Sequence, residues 1–225
     1  MFDPNESYSE AVSDLVQGTG APHLVDALRS RIESPPLDLD HAVNKNQIAC
    51  KKWLLDQLYA ACGGRYGTVY ILGGWYGVLG AMILSDSRFT VRRVLSIDID
   101  PNCAPVAERI NETQAREGRF EAVTGDVCRL EYAQDQTGTG LAGEIPDLVV
   151  NTSCEHMAST EAWYGRVPRG MLQAYQSNDY FDCPEHVNCS VDIAAFKRQL
   201  PMSDVLYEGT LPRRRYTRFM LIGRK

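Results

Sequence analysis

Hydrophobic and polar positions change their rhythm once along the chain. Across residues 13–16 and 24–32 apolar side chains recur every three or four positions, the spacing that places them on one face of a helix. Pro35 and Pro36 interrupt this pattern. A longer helical stretch is predicted over residues 39–62, with Ile48, Trp53, Leu54, Leu55 and Leu58 on its buried face. From residue 67 onward, short apolar runs alternate with helical segments. Strands are predicted at residues 68–72 (TVYIL), 94–97, 119–123, 147–150 and 171–176, and helices over 78–84, 102–116 and 191–200. Runs that are apolar on both faces and separated by helices belong to a parallel sheet covered on both sides. Residues 205–211 and 216–224 have only Pro212, Arg213, Arg214 and Arg215 between them. That is too little chain for a crossover, so the two segments predict an antiparallel hairpin at the sheet edge. The layout is α/β: a helical N-terminal lid over residues 1–62, then one domain over 63–225 with a surface loop at 134–145.

Composition narrows the function classes. The 225 residues are 44% hydrophobic and 23% charged, ordinary globular values that argue against disorder or a fibrous repeat. Lys and Arg number 23 against 29 Asp and Glu, a net charge of -6, the wrong balance for binding through phosphate-backbone attraction. Nucleic acid is therefore an unlikely partner. No apolar run approaches the ~20 residues of a membrane helix, and the acidic start MFDPNESYSE is not a secretory signal. The seven cysteines form no CxxC pair and the four histidines no HxH or HxxxH spacing. This usage fits reduced thiols in a cytoplasmic protein, and no metal is expected. The oligomeric state is left open.

The chemistry collects at strand ends. In ILGGWYGVLGAMIL, Gly73, Gly74 and Gly77 follow a buried strand and open a helix, where glycine permits a tight turn and close approach to a ligand. Asp98 lies twenty-five residues beyond Gly73 and Asp126 twenty-eight beyond Asp98, each after a strand. The first is placed to accept from two ribose hydroxyls, the second to receive the exocyclic amine of an adenine. A nucleoside-type cofactor follows, because open parallel sheets bind ligands outside the carboxyl ends of their strands. The loop GGWYG matches neither the GxGxxG of dinucleotide folds nor GxxxxGK of NTPases.

With this loop, the two acids and the terminal hairpin, residues 67–225 resemble the class I S-adenosylmethionine (SAM)-dependent methyltransferase family. The resemblance implies a Rossmann-like, mostly parallel seven-stranded sheet with an antiparallel C-terminal hairpin strand. It implies that Gly73, Gly74 and Gly77 hold the methionine part of SAM, Asp98 the ribose and Asp126 the adenine. Trp75 stands where the family's GxGxG has its middle glycine, so the loop is expected to follow a different path. Trp75 and Tyr76 either pack on the sulfonium, or Trp75 is buried against the N-terminal helices.

After the fourth strand, methyltransferases of base amines carry Asp or Asn, two prolines and an aromatic. Here the order is Asn151, Thr152, Ser153, Cys154, Glu155, His156, which demotes base methylation in favour of a small-molecule substrate. Polar residues gather at the same rim: Ser153, Glu155 and His156, then Tyr175, Gln176, Ser177 and Asn178, then His186, Asn188 and Cys189. Glu155 and His156 read either as an acid/base pair or as a helix start capped by Ser153. Lys45, Gln47 and Lys51 on the lid read as partners of the methionine carboxylate or as exposed charges. The size, the lid and the segments VNTSCEHM, QSND and HVNC are similar to a group that includes azetidine-2-carboxylate synthases. In these SAM's own amine closes a four-membered ring and expels 5′-methylthioadenosine. That resemblance implies catalytic roles for Asn151 at the amine, for Ser203 at the amine or carboxylate, and for Tyr175 at the sulfonium. A small-molecule methyltransferase and a catalytically silent SAM-binding module are the alternatives.

Overall fold

The computed structural model describes residues 39–132 and 145–225; the helices expected over 13–16 and 24–32 and nearly all of the expected 134–145 loop lie outside them. Two helices, α1 (Leu39–Val43) and α2 (Lys45–Cys62), occupy the stretch read as one. Asn44 divides them: its side-chain oxygen accepts from the backbone N–H groups of Asn46 and Gln47, both at 3.0 Å, and so starts a new helix. Then follow β1 (Arg65–Leu72), α3 (Val78–Ser85), β2 (Thr90–Asp98), α4 (Cys103–Ile110), α5 (Glu112–Arg116) and β3 (Phe120–Thr124). Beyond these come β4 (Leu148–Asn151), α6 (Thr160–Tyr164), β5 (Leu172–Asn178), α7 (Ile193–Gln199), β6 (Asp204–Pro212) and β7 (Thr217–Arg224). The break between α4 and α5 falls at Asn111, whose buried amide donates to the carbonyls of Ala107 (2.9 Å) and Gly77 (3.1 Å).

The seven strands form one sheet in the order β3-β2-β1-β4-β5-β7-β6. β1 to β5 pair in parallel, and β7 inserts antiparallel between β5 and β6. This is the predicted α/β sheet with its terminal hairpin. Alternation along each strand divides the apolar side chains between two cores. Val69, Ile71, Val94 and Ile222 join Leu54, Leu58 and Met82 on one face. Tyr70, Leu72, Leu95 and Leu221 join Trp163 and Phe196 on the other. Helix α2 covers the hairpin side of the first face, with Trp53 edge-on to Tyr207 at 6.3 Å. At the hairpin tip Arg213 donates through Nε to Asn46 Oδ1 at 2.9 Å, so it is tied to α2. All seven cysteines are free thiols.

Candidate functional site

The loop from β1 to α3 lies at the carboxyl ends of the parallel strands. Gly73, Trp75 and Gly77 have φ of 64°, 48° and 71°. Among the described residues Trp75 is the one non-glycine in this left-handed region, so the loop accommodates the aromatic through backbone strain. Its ring stacks on Tyr76 at 5.1 Å. The glycines answer to protein neighbours. A Cβ on Gly74 would lie 2.0 Å from Ser96 Oγ of β2, and one on Gly77 would meet Asn111, Ala107 and Phe120 at 3.0 Å or less. One on Gly73 would lie 3.0 Å from Met157 Cε.

Both predicted acids sit half-buried at strand ends and hold backbone. Asp98 Oδ2 accepts the Trp75 N–H at 2.7 Å, tying β2 to the glycine loop, and Oδ1 accepts the Asp100 N–H at 3.1 Å. Asp126 Oδ1 accepts the Cys128 N–H at 2.9 Å and opens a short 3-10 turn at Val127–Arg129.

A cavity of about 60 Å³ lies between the loop, the segment after β4 and the N-terminal helices, lined among others by Gln47, Lys51, Gly73, Trp75, Ser153 and Glu155. Lys51 is 8% exposed and donates to Gln47 Oε1 at 2.7 Å. Burial, and then the positive Arg218 nearby, pulls its pKa down to about 8. Glu155 is buried in an ion pair with Arg218 of β7, and its Oε1 also accepts from Asn178 Nδ2 at 2.7 Å. Arg218 further donates to the Thr152 carbonyl and to Gln176 Oε1, while Gln176 Nε2 donates to the Cys50 carbonyl at 3.0 Å. One network thus joins β5, β7, α2 and the segment after β4. Glu155 Oε2 has no partner. His156 also lines the cavity and meets His186 edge-on at 4.6 Å.

No family model matches the chain, and no curated protein matches it. Solved structures do. The N-methyltransferase NodS from Bradyrhizobium japonicum, in complex with S-adenosyl-L-homocysteine, aligns with a TM-score of 0.59 at 11% identity, covering 89% of this chain and 97% of that one. MtNAS in complex with S-adenosylmethionine aligns at 0.52 and 14% identity, covering 99% and 86%. A putative sarcosine dimethylglycine methyltransferase from Galdieria sulphuraria aligns at 0.55 and 11%, covering 89% and 77%. The fold is that of the class I methyltransferases.

Within this methyltransferase fold, Gly73, Gly74, Trp75, Tyr76 and Ser153 line the cavity; Gly77, Asp98 and Asp126 are not among its lining residues, and the three expected catalytic residues lie away from it. Asn151 is fully buried; its Oδ1 accepts the Ser153 N–H at 2.8 Å and its Nδ2 has no partner. It shares a face with Val149 of the second core, which puts it on the face turned away from Lys51. Tyr175, its cross-strand neighbour, points the same way. The ring packs edge-on against Trp163 at 5.2 Å and Tyr164 at 6.1 Å, and burial raises the phenol pKa well above its usual value. Ser203 is exposed, with Oγ donating to the Arg224 carbonyl at 3.2 Å. Arg224 pairs with Leu172, the first residue of β5, so Ser203 lies at the opposite end of the sheet from the cavity. A residue that opens β6, which runs in the same direction as β5, must lie there.

Ser153 lines the cavity and precedes a 3-10 turn at Cys154–His156, but it does not cap it; its Oγ donates to the Gly73 carbonyl at 3.4 Å. Burial raises the Cys154 thiol pKa well above the usual value, which disfavours the reactive thiolate. The Cys189 thiol is raised to about 11, by burial and then by the charge of Glu155. Sequence reasoning overlooked Arg218. Its signal was an arginine inside the apolar run TRFMLIGR, where a charge demands a buried partner. Among the described residues no helix is long and apolar enough to cross a membrane.

Proposed function

We propose that this chain binds S-adenosylmethionine at the cavity and uses it in a methyl transfer to a small molecule. Lys51 carries the reading: a buried ammonium lining a cavity beside a glycine loop is suited to an amino-acid carboxylate. The fold shared with proteins solved in complex with S-adenosylmethionine and S-adenosyl-L-homocysteine supports it. In this reading Lys51 takes the methionine carboxylate, the strained loop with Trp75 and Tyr76 borders the sulfonium, and Asp98 and Asp126 receive ribose and adenine. SAM supplies the electrophilic methyl. The protein's share is to hold the donor bent, keep water out and line up the acceptor.

Cyclisation of SAM to azetidine-2-carboxylate is the second reading. It is favoured by α2, whose Gln47 and Lys51 close over the cavity and restrict space for an acceptor. There the α-amine loses a proton and forms the N–Cγ bond while the Cγ–S bond breaks, releasing 5′-methylthioadenosine. Incubation with SAM alone and with candidate acceptors, followed by mass spectrometry, tests both readings. We expect S-adenosylhomocysteine to appear only when an acceptor is present. Methylthioadenosine from SAM alone would replace methyl transfer by cyclisation, and binding without turnover would leave a silent module. Asp98→Ala should weaken SAM binding by ~1–3 kcal/mol in calorimetry; unchanged affinity would move the ligand elsewhere.

A further inference from the structure

Beside the cavity, three side chains able to ligate a metal converge from two segments far apart in sequence. One ligating atom from each of Glu155, His156 and His186 lies within 4.8 Å of the others. Glu155 is 3% exposed, and its two oxygens differ. Oε1 is held by Arg218 and Asn178, whereas Oε2 is buried without a partner. A buried carboxylate oxygen left unpaired is costly.

His186 is set up as a donor of its lone pair. Its Nδ1 lies 2.9 Å from the Tyr180 carbonyl, and a proton there leaves Nε2 to accept. Metal-bound histidines are oriented by just this kind of hydrogen bond. The 3-10 turn at Cys154–His156 and the backbone bond from Asn188 N–H to the Glu155 carbonyl (2.9 Å) fix the two segments against each other. His156 is exposed, and its ring already meets His186 edge-on.

We propose that Glu155, His156 and His186 bind one divalent transition-metal ion, zinc foremost. Two imidazoles and a carboxylate suit Zn²⁺ and leave a fourth position open. That position would face the cavity His156 and Glu155 line. The proposal does not depend on the cavity's ligand being SAM.

The test uses the full-length protein stripped with EDTA and titrated with Co²⁺ as a spectroscopic stand-in. We expect visible d–d bands of a four-coordinate site saturating at one Co²⁺ per chain and abolished by one equivalent of Zn²⁺. The variant His156→Ala/His186→Ala, checked by circular dichroism for an unchanged fold, should lose the bands, and Glu155→Gln should weaken binding. Absence of the bands in the parent overturns the site. So does their persistence in the double variant, or an intense near-ultraviolet charge-transfer band, which would put the metal on the thiolate of Cys183 or Cys189.

Discussion

Trp75 holds a left-handed backbone at φ 48°, a conformation that costs a residue with a Cβ roughly 1 kcal/mol or more. Replacing it by alanine removes the stacking but keeps the strain; replacing it by glycine removes both. We therefore expect Trp75→Gly to be more stable than Trp75→Ala by about 1 kcal/mol, the reverse of the usual order, in urea titrations of the two variants. Equal midpoints would mean that the loop relaxes to another path once the ring is gone. At this scale the sequence was partly legible. The glycines and Asp98 were recognisable because turn chemistry is local. Their reasons were not: Gly74 is needed because of Ser96, a residue of the next strand. Asp98 holds the Trp75 N–H as well as standing at the strand end.

Among the elements, all seven strands were readable: the parallel ones as short apolar runs between helices, and the half-exposed β6 through its short connection to β7. The divisions at Asn44 and Asn111 were not. An asparagine inside a helical pattern does not declare whether its amide will cap, as Asn44 does, or reach across to a glycine carbonyl, as Asn111 does. The pairing of Glu155 with Arg218 was equally hidden, because it depends on β7 entering next to β5. Arg218→Met leaves the Glu155 carboxylate buried without its counter-charge and should cost about 3–5 kcal/mol. Adding Glu155→Leu should restore most of this, since an apolar pair of matching volume often replaces a buried ion pair. Urea midpoints of parent, single and double variants measure both. A single-variant cost below about 1 kcal/mol would show that water reaches Glu155 and that the network is not structural.

For the molecule as a whole, Lys51 links stability to pH. Its ordinary pKa is 10.5, kept in the unfolded chain, and the folded value is about 8. Between these values the unfolded state binds the extra proton, so Lys51 makes stability rise with pH across that window and imposes its full penalty below it. The shift corresponds to about 3 kcal/mol. Lys51→Met should accordingly be more stable than the parent at pH 7, with the gap closing as pH approaches 10, while SAM affinity falls. Denaturant titrations at the two pH values and calorimetry with SAM check this; a gap that does not narrow would place the ammonium in water. Sequence alone set Lys51 beside Lys45 and Gln47 without choosing among them. It also placed Asn151, Tyr175 and Ser203 together. Which face of a strand looks at a cavity, and which end of the sheet a strand begins from, are properties of register and strand order, not of composition.

The Glu155–Arg218 contact spans 63 positions of sequence. During synthesis the carboxylate leaves the ribosome long before its partner does, and until β7 slides in next to β5 it has to stay hydrated. The last strand thus brings the counter-charge that lets Glu155, a residue lining the cavity, stay buried.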